Sequence, residues 1–195
     1  MAARGVQNQS FPTTPETSMN PKSLLFLACL ALPIAGIQAA DLPATGASPK
    51  PGETQDASFI QRAGAAGLAE VELSRLAVTG ASSPEIKRFA QQMVDAHTAS
   101  NKELGLIAAR QHQKMPSDLD NEHAKVRGRL EGYRGGPEFD RDYLRAMVAD
   151  HEKMVTLLES AKGTGSAEVQ KFARNNLPAV QEHLEMARGL MAKAR

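Results

Sequence analysis

Apolar residues recur at three- and four-residue steps in four long stretches of the chain, the spacing of one buried helix face. The first stretch, roughly 57–79, carries Phe59, Ala63, Ala66, Glu70, Leu73 and Ala77 on its stripe, with Gly80 as its stop. Gly64, Ala65, Ala66 and Gly67 make part of it thin enough for a neighbour to approach closely. The second opens with Ser83 as cap and Pro84 at the first helical position. Its stripe is Ile86, Phe89, Met93, His97, Leu104 and Ile107, running to about residue 111. The third starts at Pro137 and keeps Phe139, Tyr143, Met147, His151, Met154 and Leu158 in step, until Gly163 and Gly165 close it. The fourth, capped by Ser166, carries Val169, Phe172, Asn176, Val180, His183, Ala187, Leu190 and Ala194, with Pro178 inside it. Between the second and third, Ser117 is placed to cap a short helix with Leu119, His123, Val126 and Leu130 in step.

Four helices with one apolar stripe each bury those stripes best as a bundle. Short connections make the first two and the last two antiparallel neighbours. The middle connection, about 25 residues with its own short helix, is long enough to cross the bundle. The expected fold is all-α: a ferritin-like four-helix bundle with a crossover connection containing a short helix. A faint internal echo suits a duplicated helix pair. Ile86-x-x-Phe89-Ala90 recurs as Val169-x-x-Phe172-Ala173, and Phe59 relates to Phe139 at nearly the same offset.

Ahead of the bundle lies the one long apolar run, Leu24 to Ile37, preceded by Lys22 and followed by Gln38-Ala39-Ala40. A short positive region, an apolar core and small closing residues make a secretory signal peptide, and the run is too short to span a bilayer. The expected organisation is a non-native extension over 1–18, with translation from Met19, and a signal peptide over 19–40. Cleavage falls after Ala39 or Ala40. A flexible Pro-, Gly- and Ser-rich tether over 41–55 follows, then the bundle domain over 56–195. The product is expected in the periplasm or secreted, with no transmembrane helix in the mature chain. Cys29, the single cysteine, lies inside the signal, so disulfides and thiolate metal sites are excluded from the mature chain.

Composition narrows the function classes. Residues 1–40 hold two of the 23 basic and one of the 22 acidic residues, which leaves the remainder neutral. A neutral chain with 4% aromatics carries no electrostatic footprint for nucleic acid. The sequence has no phosphate-cradling glycine loop, no Gly-x-Ser-x-Gly and no His-Glu-x-x-His.

What chemistry remains sits on the stripes. His97, His151 and His183 occupy stripe positions on the second, third and fourth long helices, and Glu70 on the first. Neutral imidazole is the commonest transition-metal ligand and a carboxylate a natural fourth. The near-central depths of all four residues suit one bundle layer. Met147 stands four before His151 and Met154 three after it, and thioethers beside an imidazole favour copper. Copper, zinc and iron are the candidate ions. A carboxylate-rich di-iron centre is disfavoured, because Val94, Val148 and Val180 stand where Glu-x-x-His would need Glu. Asp150 lies beside the stripe, in an outer or solvated role, while His112 and His123 read as surface residues near the crossover. The competing reading makes the histidines and Glu70 a structural polar cluster whose members bond one another.

Four segments carry a family resemblance: Ala66-Gly67 to Leu76, Phe89 to His97 with Met93-Val94-x-x-His97, Phe139 to His151 with Met147-Val148-x-x-His151, and Leu177-Pro178 to His183. Over about 56–192 the chain resembles bacterial exported proteins defined only by a domain of unknown function, often called predicted outer membrane proteins. The resemblance implies a ferritin-like bundle, export and outer-membrane association, and supplies no activity. Met147 to Met154 is also similar to a related exported family with doubled histidines, associated with copper; here Asp150 and Ala96 precede the histidines instead. The expected function is a periplasmic bundle that binds or handles a transition metal through His97, His151, His183 and Glu70, with Met147 and Met154 in support. Such a protein would serve in envelope stress, with an envelope protein as a further partner. The alternative is a non-catalytic interaction module, and an enzyme is the least favoured class.

Overall fold

A computed structural model of the protein describes residues 51–133 and 135–194. The expected extension, the signal peptide with Cys29, and the tether up to residue 50 lie outside the described residues. Five helices follow in order: α1 (Pro51–Gly80), α2 (Pro84–Arg110), α3 (Asn121–Tyr133), α4 (Pro137–Ala161) and α5 (Ala167–Lys193). No strand occurs among the described residues, and none of these helices is long and apolar enough to cross a membrane. The all-α bundle is therefore as the periodicity predicts, including the short helix in the crossover.

Three local expectations are corrected. Helix α1 begins at Pro51, so residues 51–55 are helical rather than part of the tether. A proline in the first turn gives up an N–H that has no intrahelical partner anyway. Ser117 does not cap α3, since its hydroxyl donates to Asp118 Oδ2 at 2.8 Å. Asp120 takes that post instead, accepting the backbone N–H of His123 at 2.9 Å, and its charge complements the helix N-terminus. His123 is not on the surface: it is 7% exposed, and Asp150, at 6%, is not solvated.

His123 locks the crossover to the bundle. Its Nδ1 lies 2.8 Å from Asp120 Oδ2 and its Nε2 3.3 Å from Asp150 Oδ2 on α4, with Lys153 and Glu122 paired just outside. The Asp150 bond, opposed by burial and reinforced by the charges of Asp150 and Asp120, raises the imidazole from its usual 6.5 to about 9. The folded state holds this proton more tightly than the unfolded chain does. Its contribution is complete below about pH 6.5 and disappears as pH rises through about 9, with a size of about 2 kcal/mol after allowing for the half-exposed Asp120. Urea titrations at pH 6 and pH 10 should show that loss in the wild type. In His123→Gln the difference should shrink by the same amount.

Capping contacts fix the topology. At the start of α4, Asp140 accepts the backbone N–H groups of Ser82 and Ser83 at 2.8 and 3.0 Å, and the Ser82 hydroxyl. The start of α4 thus lies where α2 begins. At the start of α1, Asp56 accepts the Ser166 N–H at 2.9 Å and Gln111 Nε2 at 2.8 Å, which places the start of α5 where α2 ends. Helix α2, 27 residues long, spans about 40 Å at 1.5 Å per residue, and the connection 111–136 must travel back that distance. Two antiparallel hairpins joined by one crossover is the ferritin-like arrangement.

The same contacts show that the hairpins are related by an approximate two-fold. The separation from Asp56 to Asp140 also takes Phe59 to Tyr143, and that from the cap Ser83 to the cap Ser166 takes Phe89 to Phe172. Packing agrees: Phe59 meets Phe172 edge-on at 5.9 Å, and Tyr143 meets Phe89 at 6.3 Å. The counterpart of Phe59 in the second hairpin is thus Tyr143 rather than Phe139. One apolar cluster fills each end of the bundle. Between them lies a polar layer.

Candidate metal centre

The sequence stripes deliver three histidines to that layer. His97 comes from α2, His151 from α4 and His183 from α5, each within an otherwise apolar heptad-like run. Ring centroids are 5.3 Å apart for His97 and His151, and 5.6 Å for each pair involving His183. One ring nitrogen from each residue lies within 4.8 Å of the other two. A common centre then falls at most about 2.8 Å from each nitrogen, against the 2.0–2.1 Å of a zinc–imidazole bond, so small side-chain rotations suffice to close any gap. His97 and His151 are buried and His183 is half-buried.

These rings lack protein partners where they face one another. His97 Nε2, His151 Nε2 and His183 Nδ1 are buried without a hydrogen bond, as is Glu70 Oε2. Each such buried orphan costs about 1–3 kcal/mol. Three unpartnered ring nitrogens converging at one level are placed as the ligands of a metal ion would be.

Glu70 lies outside the group of three ring nitrogens that come within 4.8 Å of one another. Its Oε1 is 3.1 Å from His151 Nδ1, which also lies 2.8 Å from the Met147 carbonyl. The carboxylate and carbonyl both face Nδ1, so that Nε2, in the neutral ring, would present its lone pair inward, the orientation that carboxylate–histidine–metal triads use. Met147 contributes that carbonyl; its sulfur lies 3.9 Å from Ser74 Oγ, which shares a 2.8 Å hydrogen bond with the Tyr143 hydroxyl. Met154 lines a cavity of about 60 Å³ on the open side of the triad, together with His97 and His183.

Protonation is set by the same neighbours. Burial, and after it the charges of His97 and His151, lower His183 to about 4 against the opposing charge of Glu70. Burial also depresses His97, outweighing the opposing Glu70 charge. His151 feels the same burial, but the Glu70 charge and hydrogen bond, the Met147 carbonyl and the Asp150 charge together raise it. The surroundings thus favour the neutral, metal-binding form at His97 and His183, and the charged form at His151.

The His123–Asp150 pair is the polar pair that sequence reasoning placed wrongly. Its signal was available: His123 falls in step with Val126 and Leu130 on the short helix, on the face that meets α4.

Residues 41–190 match the family model described as "Domain of unknown function (DUF4142)". None of the curated proteins matches the chain. Among solved structures, the crystal structure of a DUF305 fragment from Deinococcus radiodurans is similar, with a TM-score of 0.63 and 15% identity. That similarity covers 71% of this chain and 96% of the other, and at such identity it shows a shared helical fold alone.

Proposed function

This chain belongs to the DUF4142 family of unknown function, and we propose that it is an exported protein that binds one late transition-metal ion through His97, His151 and His183. The observation that carries this reading is the convergence of three buried, unpartnered ring nitrogens within 4.8 Å. Imidazoles without thiolate or a carboxylate cage suit Zn(II) or Cu(II) better than a di-iron pair. Glu70 serves behind His151, orienting the ring and raising its basicity. Met154, which shares the cavity wall with His97 and His183, is the thioether placed to support copper. Export rests on the Leu24 to Ile37 run and its small-residue ending.

A second reading draws on the Glu70–His151 pair, which ties α1 to α4 and would make the cluster architectural. Elemental analysis of untagged residues 41–195, followed by Zn(II) and Cu(II) titration, separates the two. One equivalent of bound ion supports the site, and a protein that takes up none sinks it. In the same titrations Glu70→Gln should keep the stoichiometry while affinity falls 10- to 100-fold, as removal of such outer partners does elsewhere. Unchanged affinity in that variant would remove Glu70 from the site.

A further inference from the structure

The approximate two-fold that relates the hairpins has a consequence at mid-bundle. The separation from Asp56 to Asp140 takes Gly67 to His151 and Glu70 to Met154. That from Ser83 to Ser166 takes His97 to Val180 and Ser100 to His183. The four residues of the polar cluster thus have Gly67, Met154, Val180 and Ser100 as their counterparts, and all four counterparts line the cavity of about 60 Å³. One half of the layer carries the ligands, and its mate is hollow.

We propose that this hollow half is the seat of a small anion that completes the coordination of the ion held by the triad. The inference rests on the metal reading above. Size sets the first limit: the space is several times the ~10–15 Å³ of such volume that one water needs, so a small polyatomic anion fits. Charge sets the second. Three neutral imidazoles leave a divalent ion its full charge, and Glu70 offsets only one unit of it. The cavity walls are largely apolar, among them Leu104, Leu158 and Phe172, which strengthens attraction between ion and anion.

The cavity also offers a donor. Ser100 is spent on Asn176 at 2.9 Å, and Asn176 on the Phe172 carbonyl at 2.9 Å. No hydrogen bond among the described residues uses the Asn101 side-chain amide, which lines the cavity. Its oxygen lies against Gly67, where any Cβ would collide with it, so the absence of a side chain at 67 is what seats Asn101 there. The chain therefore presents an open metal face, a space of matching size and one uncommitted amide at the same point.

The test uses Co(II) as the ion and azide as the anion, with bound cobalt measured separately by elemental analysis. Azide should shift the visible d–d bands of the one-equivalent Co(II) protein saturably. Asn101→Leu should retain one cobalt and bind azide at least 10-fold more weakly. Asn101→Asp, which keeps size and shape but repels an anion, should weaken it further. One cobalt bound with bands indifferent to azide overturns this inference and leaves the metal site standing, as does equal azide affinity in wild type and both variants. A protein that binds no cobalt overturns the metal reading and this inference with it.

Discussion

Changing both His97 and His183 to leucine is expected to abolish metal binding while leaving the bundle at least as stable as the wild type. These two rings make no hydrogen bond among the described residues, and their inward nitrogens are buried orphans. Replacing a buried unsatisfied group by an apolar one of similar size removes a desolvation penalty of about 1–3 kcal/mol, so the urea midpoint should hold or rise. Binding should behave oppositely. His151 alone, even oriented by Glu70, is one ligand, and the titration endpoint should fall from one equivalent to none. His151 is the poorer choice for this experiment, because its removal strands the buried Glu70 carboxylate and confounds stability with ligation. A cluster built only for packing makes the contrary forecast: the double variant would lose stability, and the wild type would show no ion to lose.

That contrast locates what the sequence could and could not convey. Helical periodicity named every long helix and the ring residues, because stripe positions are decided locally, one turn after another. His97, His151 and His183 stood out for the same reason, each following a run of apolar residues that must face inward. Depth along each helix suggested a shared layer, and the layer exists. The contact of Glu70 with His151 Nδ1 was not legible. Whether a carboxylate on α1 meets an ion or the back of a ring depends on the rotation of α1 against α4, which no single-helix pattern encodes. His123 and Asp150 failed for a related reason. On a short crossover helix a polar residue reads as solvated, and only the docking of α3 on α4 reveals that two such residues bury each other. The two-fold was visible as Ile86-x-x-Phe89 against Val169-x-x-Phe172, but the α1–α4 register came from Asp56 and Asp140, whose partners lie in loops far along the chain.

Those two aspartates are where the fold itself is most exposed to a single change, and Asp140→Ala is expected to be the most damaging polar substitution in the bundle. Asp140 is 5% exposed and accepts three hydrogen bonds from Ser82 and Ser83, two of them from backbone N–H groups at the turn that opens α2. Alanine would strand those donors in a part-buried corner, and a carboxylate near a helix N-terminus also loses its favourable interaction with the dipole. Together these effects amount to about 3–4 kcal/mol, a large share of the 5–15 kcal/mol that holds an ordinary domain together. Asp56→Ala should cost less, about 2 kcal/mol, since it accepts one backbone N–H and one glutamine amide. Asp140→Asn preserves the shape and one acceptor oxygen, so it should recover about half of the loss. Urea titration of the three variants checks the order, and equal midpoints for Asp140→Ala and wild type would show that the turn finds other acceptors. Because Asp140 pins the start of α4 against the start of α2, loss of this corner frees the registration that brings His151 level with His97. A destabilised Asp140→Ala protein should therefore also bind its ion more weakly, although no atom of Asp140 belongs to the triad.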